Sequence, residues 1–249
     1  MKTLLLLGGM TPDVTKLYYD IINRAARSAL GGRHNAPLYL YSANLEAMVQ
    51  HAGSGDWDSF ARVYTDAIDA LADKVDAVVV SAILTHKVTP QLTQSLSSSS
   101  SSTGVPLLHI ADCVSSHLKA QHPQIHTVGL LGPKITMLDR DDPDFFIGRL
   151  ESPKNGFKVV VPETQAEIEE VNRGMMEEVT KGVAAVTPQT KAMFLQQVNR
   201  LIERGAQGII LGSTDLGFVV RQEDLPEGVI VIEPGSIHAA EVAKWALES

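Results

Sequence analysis

Short, almost wholly apolar runs recur along this chain: Thr3 to Leu7, Pro37 to Tyr41, Ala77 to Val80, Pro106 to Ile110, Thr127 to Leu131, Lys158 to Val161, Gly208 to Leu211 and Val229 to Ile232. A strand with one wet face alternates apolar and polar side chains, so a run without polar alternates has both faces covered. Between most of the runs lie segments with helical spacing, such as "PDVTKLYYDIINRAARSAL" (12–30), "DSFARVYTDAIDALADKV" (58–75) and "KAMFLQQVNRLIERGAQ" (191–207). Strands that alternate with helices pair in parallel, because a parallel neighbour is reached only through a crossover, and the helices then cover both faces of the sheet. The expected class is α/β.

The pattern also repeats itself. "LLLLGGMT" (4–11) resembles "VGLLGPKI" (128–135), and "VDAVVVSA" (75–82) resembles "AQGIILGS" (206–213). Each pair is a strand entering a Gly- or Ser-bearing turn, which implies two pseudo-symmetric α/β halves. The expected division is residues 1–115 plus 216–249 for the first domain and 116–215 for the second. Ligands of open parallel sheets lie beyond the carboxyl ends of the strands, so the four turns are expected to face one another across an interdomain cleft.

Composition narrows the partners. The chain has 249 residues, 44% of them hydrophobic, enough for real cores. No apolar run reaches the roughly 18 residues of a membrane span, and "MKTLLLLGG" is too short and too soon followed by glycines for a signal peptide. The expectation is a cytoplasmic protein without membrane contact. A net charge of -8 and the lack of a basic stripe with interleaved aromatics argue against nucleic acid and leave small-molecule or protein partners. One cysteine, Cys113, excludes an internal disulfide framework and a thiolate metal cluster. The pair His122 and His126 has helical metal spacing but flanks Pro123 in a polar stretch, so no metal is expected. Ser97 to Ser102 is a low-complexity run that reads as a flexible surface connection.

Two turns carry the residues of chemical interest. In "GGMTPDVT", Gly8 and Gly9 make the turn after the first strand, Thr11 is the candidate N-cap, and Pro12 and Asp13 open a helix. The stretch has neither GxGxxG nor the Walker pattern, so a nucleotide is not implied. In "VVVSAILTHK" (78–87) a buried strand delivers Ser81, then Ala82, Ile83 and Leu84, and then His86 and Lys87. Neither Ser81 nor Ser213 lies in a G-x-S-x-G elbow or a Ser–His–acid pattern, so neither reads as an activated nucleophile.

Taken together, "GGMTPDVTKLYYDIIN", "SAILTHK", "VPLLHIAD", "VGLLGPKITM", "GIILGSTDLG" and "IEPGSIHAAE" resemble the aspartate/glutamate racemase superfamily, in particular its amino-acid racemase branch, over nearly the whole chain. The resemblance implies two pseudo-symmetric α/β domains, no cofactor, a homodimer and an interdomain active site. In that site two cysteines, one per half, remove and return an α-proton from opposite faces. Thiols suit the task because their pKa, near 8.5 when free, can be tuned to neutral pH. Here the first cysteine falls on Ser81 and the second on Ser213, where "GCTE" reads "GSTD". Cys113, after "HIAD", sits where the family has a small residue and reads as structural.

The same resemblance assigns further positions. The family's asparagine and threonine, which hold a substrate's charged ends, fall on Ile83 and Leu84, a substrate-touching glutamine on Ala52, and a carboxylate-pairing lysine on Glu170. Met10, Thr11, Ala82, Lys134, Thr214 and Asp215 complete the implied substrate-binding set. Asp13 and Asp215 match carboxylates that support the turns, and His86 and His238 match retained histidines. With Glu170, Lys134 and Glu233 these are the proton-transfer candidates, and Ser81, Ser213, Glu170, His86 and Asp13 form the expected catalytic group.

Polar anchors have become apolar and a cation has become an anion, so the pocket is expected to bind aspartate and glutamate poorly and to favour a larger, less charged substrate. The leading expectation is a cofactor-independent isomerase, cyclase or lyase using acid–base chemistry on a natural-product intermediate. A catalytically silent binding protein and a racemase carrying cysteine-to-serine substitutions are the alternatives.

Overall fold

Every apolar run named above becomes a strand. The computed structural model describes residues 1–98 and 104–248. Its first unit holds β1 (Leu4–Gly8), α1 (Pro12–Leu30), β2 (Leu38–Ser42), α2 (Leu45–Ser54), α3 (Trp57–Leu71), β3 (Ala77–Val80), α4 (Thr89–Ser98) and β4 (Leu107–Leu108), and ends within α5 (Ile110–Gln121). The second unit contains β5 (Thr127–Leu131), α6 (Lys134–Leu138), α7 (Phe146–Leu150), β6 (Lys158–Val160), α8 (Gln165–Glu177), α9 (Pro188–Glu203), β7 (Gly208–Leu211) and β8 (Ile230–Ile232). The chain then returns to the first unit as α10 (Pro234–Leu247).

Each unit has one four-stranded sheet, all parallel, in the orders β2-β1-β3-β4 and β6-β5-β7-β8. The two orders are the same once the second is renumbered, and the echoed segments are the two central strands of each sheet. The fold is therefore α/β with two like halves.

The apolar runs lack polar alternates because both sides of each central strand are buried. In the first sheet Leu5 and Leu7 of β1 and Val78 and Val80 of β3 pack with Met48 of α2, Phe60 and Tyr64 of α3 and Leu92 of α4. Leu4, Leu6, Ala77 and Val79 point the other way, onto Tyr18 and Ile22 of α1 and Ala239, Val242, Ala243 and Ala246 of α10. In the second sheet Leu131, Ile209 and Leu211 pack on Ile168, Val171 and Met175 of α8 and Phe194, Val198 and Leu201 of α9. The edge strand β2 is different: Tyr39 and Leu40 are both more than two-fifths exposed.

Three expectations are corrected. Residues 216–234 belong to the second unit rather than the first, because β8 pairs with β7 from Gly208↔Ile230 to Ile210↔Ile232, and only α10 goes back. The run Pro106 to Ile110 yields a two-residue strand, since Ile110 already starts α5. Ser97 and Ser98 are not a loose connection but the last turn of α4, with their hydroxyls donating to the carbonyls of Thr93 and Gln94; the rest of that serine run lies outside the described residues. Among the described residues, no helix is long and apolar enough to cross a membrane.

Candidate functional site

In the order β2-β1-β3-β4 the chain leaves β1 towards one edge and β3 towards the other, so the crevice at their carboxyl ends is the topological switch point where such sheets bind ligands. In the second unit the same place lies between the ends of β5 and β7.

The first turn is built by close contact. Gly9 has φ 102°, and a Cβ there would lie 2.2 Å from the Ala43 nitrogen; a Cβ on Gly8 would lie 2.5 Å from the Thr15 side chain. Thr15 stitches the turn to α1, accepting the Gly9 N–H at 3.0 Å and donating to the Thr11 carbonyl at 3.1 Å. Thr11 does occupy the N-cap position ahead of Pro12, yet its hydroxyl makes no capping bond, and its Oγ1 is buried without a partner in the structure. Asp13 is exposed in the first turn of α1, where its charge complements the positive end of the helix. Met10, and Ala52 on α2, are half-buried and pack on the apolar cluster beneath α2 and α3.

Beside this turn stands Ser81, 2% exposed. Its N–H reaches the Leu7 carbonyl at 3.0 Å and its Oγ donates to the same oxygen at 3.3 Å, which ties the end of β3 to β1. Ile83 is buried and Ala82 and Leu84 are half-buried as the chain enters the 3-10 turn Leu84–Val88. Two hydroxyl residues that sequence reasoning missed lie close by. The Tyr64 hydroxyl donates to the Gly8 carbonyl at 3.2 Å, burial pushes its pKa up to about 12, and the fully buried Thr85 sets its own hydroxyl beside it. In sequence Tyr64 is simply another residue on the apolar face of α3, and nothing local says where its hydroxyl ends.

His86 is fully buried, with Nδ1 2.9 Å from the Ala82 carbonyl and Nε2 3.2 Å from the Ile110 nitrogen. It is held by main-chain groups in its own turn and at the start of α5. His238 is also fully buried, and burial, with the neighbouring His86 adding to it, lowers its pKa to about 3. Cys113 is half-buried on α5.

In the second unit the close approach is between two glycines. A Cβ on Gly132 would lie 2.9 Å from the Gly212 Cα, and the Gly212 N–H donates to the Leu131 carbonyl at 2.6 Å. Ser213 follows, half-buried and extended, and its carbonyl accepts the Leu216 N–H at 3.1 Å to start the 3-10 turn Thr214–Phe218, which carries the half-buried Asp215. Glu233 is exposed, but its carboxylate lies against the turn, where a Cβ on Gly217 would come within 2.8 Å of Oε1.

Lys134 opens α6 with its N–H donated to Asn172 Oδ1 at 2.9 Å and its ammonium paired with Glu169. The Lys134 hydrogen bond and one from Gln165 hold the Glu169 carboxyl below its usual range. Glu170, half-buried on α8, is the neighbour in sequence but not the partner of that lysine. Helix α8 starts from a capping box: Thr164 Oγ1 accepts the Glu167 N–H, and Glu167 accepts the Thr164 N–H. Thr164→Ala should therefore cost about 1 kcal/mol in urea unfolding, and an unchanged midpoint would show that the cap contributes nothing. Among the described residues, no group of three or more His, Cys, Asp or Glu is placed to hold a metal ion.

A model of the Asp/Glu/hydantoin racemase family matches residues 7–242. A solved protein from Yersinia pestis, described as a candidate Asp/Glu racemase, is 32% identical over the full length of both chains, with a TM-score of 0.84. An aspartate racemase homologue from Pyrococcus horikoshii OT3 is 27% identical, again over all of both chains, with a TM-score of 0.75. The aspartate racemase of Picrophilus torridus shares the fold at 16% identity and a TM-score of 0.69, covering 99% of this chain and 94% of that one.

Proposed function

Because the chain belongs to the Asp/Glu/hydantoin racemase family, we propose that it is a cofactor-independent enzyme of that family acting by acid–base chemistry on a substrate larger and less charged than aspartate or glutamate. The reaction class is an isomerisation, a cyclisation or a lyase step on a small molecule such as a natural-product intermediate. The reading includes a homodimer working in the cytoplasm.

The observation that supports it is the Ser81 turn. A serine hydroxyl is a far weaker acid than a thiol, and the proton of Ser81 is given to the Leu7 carbonyl, so Ser81 is suited to accept a hydrogen bond from a substrate hydroxyl rather than to take a proton from carbon. Around it lie the neutral hydroxyls of Tyr64 and Thr85 and the hydrocarbon of Ile83 and Leu84. Aspartate or glutamate, with three ionised groups, would lose hydration in such surroundings without meeting matching charge. A hydroxyl substituent on an apolar body, which can donate to the Ser81 oxygen, would not. In this reading the proton-transfer group is Glu170, Ser213 and Asp215 supply the corresponding turn of the second unit, Lys134 is already neutralised by Glu169, and His86 shapes its turn.

Calorimetric titration with either enantiomer of aspartate or glutamate should show no binding in the micromolar range. The double variant Ser81→Cys/Ser213→Cys should leave the α-proton of both amino acids unexchanged in deuterated water. Exchange by that variant would instead mark the protein as an amino-acid racemase that carries serines. On the true substrate, Glu170→Gln should reduce turnover at least a hundredfold, whereas full activity in that variant would remove Glu170 from the mechanism.

A further inference from the structure

The buried histidines of the first unit are not scattered. His86, His109 and His238 are each at most 3% exposed, the rings of His86 and His109 are 4.3 Å apart, and those of His86 and His238 are 6.0 Å apart. Their partners fall on one short segment, the junction between β4 and α5. His238 Nε2 lies 2.9 Å from the Leu108 carbonyl, the Ile110 N–H points to His86 Nε2 at 3.2 Å, and the Ala111 N–H to His109 Nδ1 at 3.1 Å.

A carbonyl only accepts and a main-chain N–H only donates, which fixes the protons on two of the rings. His238 carries its proton on Nε2 and accepts the Tyr18 O–H at Nδ1, 2.8 Å away. His86 carries its proton on Nδ1, which it donates to the Ala82 carbonyl, and accepts at Nε2. Ile110 and Ala111 are the first two residues of α5, whose N–H groups have no partner within the helix. Two imidazoles thus satisfy them.

The other nitrogen of His86 leads to the Ser81 turn. We infer that His86 is a positioning residue: it transmits the fixed geometry of the β4–α5 junction to the Ala82 carbonyl and so sets the conformation in which residues 81–84 meet the substrate. His109 and His238 brace the junction itself. The inference rests on the proposed function for the use made of the turn, but its test needs no substrate, so the failure of either is seen separately.

Long-range 1H–15N correlation of the imidazoles in the intact protein should show His86 protonated on Nδ1 and bare on Nε2. An Nε2–H tautomer or an imidazolium would overturn the assignment. Amide hydrogen exchange then separates positioning from bulk stability. His86→Phe should speed exchange at residues 81–84 at least tenfold, whereas His109→Phe, which removes a cap from the same helix, should leave those amides within threefold of the parent. If both variants loosen the turn equally, His86 has no special role in it. If neither variant folds, the tautomer measurement on the parent protein still decides.

Discussion

Gly9→Ala is expected to destabilise the protein by on the order of 4 kcal/mol, the sum of backbone strain and steric overlap. The strain arises because φ 102° is a conformation that a residue with a Cβ rarely adopts. The overlap arises because the new methyl would stand 2.2 Å from the Ala43 nitrogen and 2.3 Å from its carbonyl oxygen, and main-chain atoms cannot move aside as a flexible side chain does. The two parts can be separated by experiment. Gly156 has φ 72° with nothing within 4 Å of its would-be Cβ, so Gly156→Ala should show strain without overlap, about 1 kcal/mol. Paired urea titrations of the two variants make the comparison; equal losses would mean that the approach of Ala43 to the first turn is not a tight one. The Ala43 N–H also donates to the Gly8 carbonyl at 3.1 Å, the same oxygen that receives the Tyr64 hydroxyl, so a shift at Gly9 should disturb the candidate site as well as the fold.

The second large effect is an acid dependence of stability centred on His238. An unfolded histidine takes up a proton near pH 6.5, whereas the folded protein keeps His238 neutral down to about pH 3. Between these values the unfolded chain binds the extra proton, so the contribution is complete above pH 6.5 and is lost as the pH falls towards 3. From pH 7 to pH 4.5 the wild type should lose about 3 kcal/mol through this group alone. His238→Gln, which keeps a donor and an acceptor but does not titrate, should be less stable at pH 7 and show a correspondingly shallower pH dependence. Because the carboxylates are common to both proteins, the difference between their pH profiles isolates the histidine. Parallel profiles would mean that His238 is charged, or wet, in the folded state.

The strands were legible because parallel sheets covered on both faces leave a simple signature, and Ala77–Val80, Thr127–Leu131 and Gly208–Leu211 have the bounds that the apolar runs suggest. Helix α1 was equally plain, with Pro12 at its start and Gly31 at its end. Departures occur where a partner distant in sequence decides the outcome. The run Pro106 to Ile110 looks like a strand throughout, but Ile110 gives its N–H to a histidine twenty-four positions earlier and starts a helix instead. Thr11 has every local mark of an N-cap, yet Thr15 does the work of binding the turn. Lys134, read as a group for a substrate, instead pairs with Glu169 on α8, thirty-five positions away. Tyr64 could be read as core, correctly, without any indication that its hydroxyl ends at the Gly8 carbonyl.

Ribosomal synthesis delivers α10 only after every strand of both sheets. The second unit is one continuous segment, 114–234, and can close as soon as it is made. The first unit cannot, because the face of its sheet formed by Leu4, Leu6, Ala77 and Val79 waits for Ala239, Val242, Ala243 and Ala246. During that interval the half of the protein that was translated first is the half still incomplete, its sheet face covered by Tyr18 and Ile22 of α1 but not yet by α10, and the remaining apolar part exposed to other nascent chains and to chaperones.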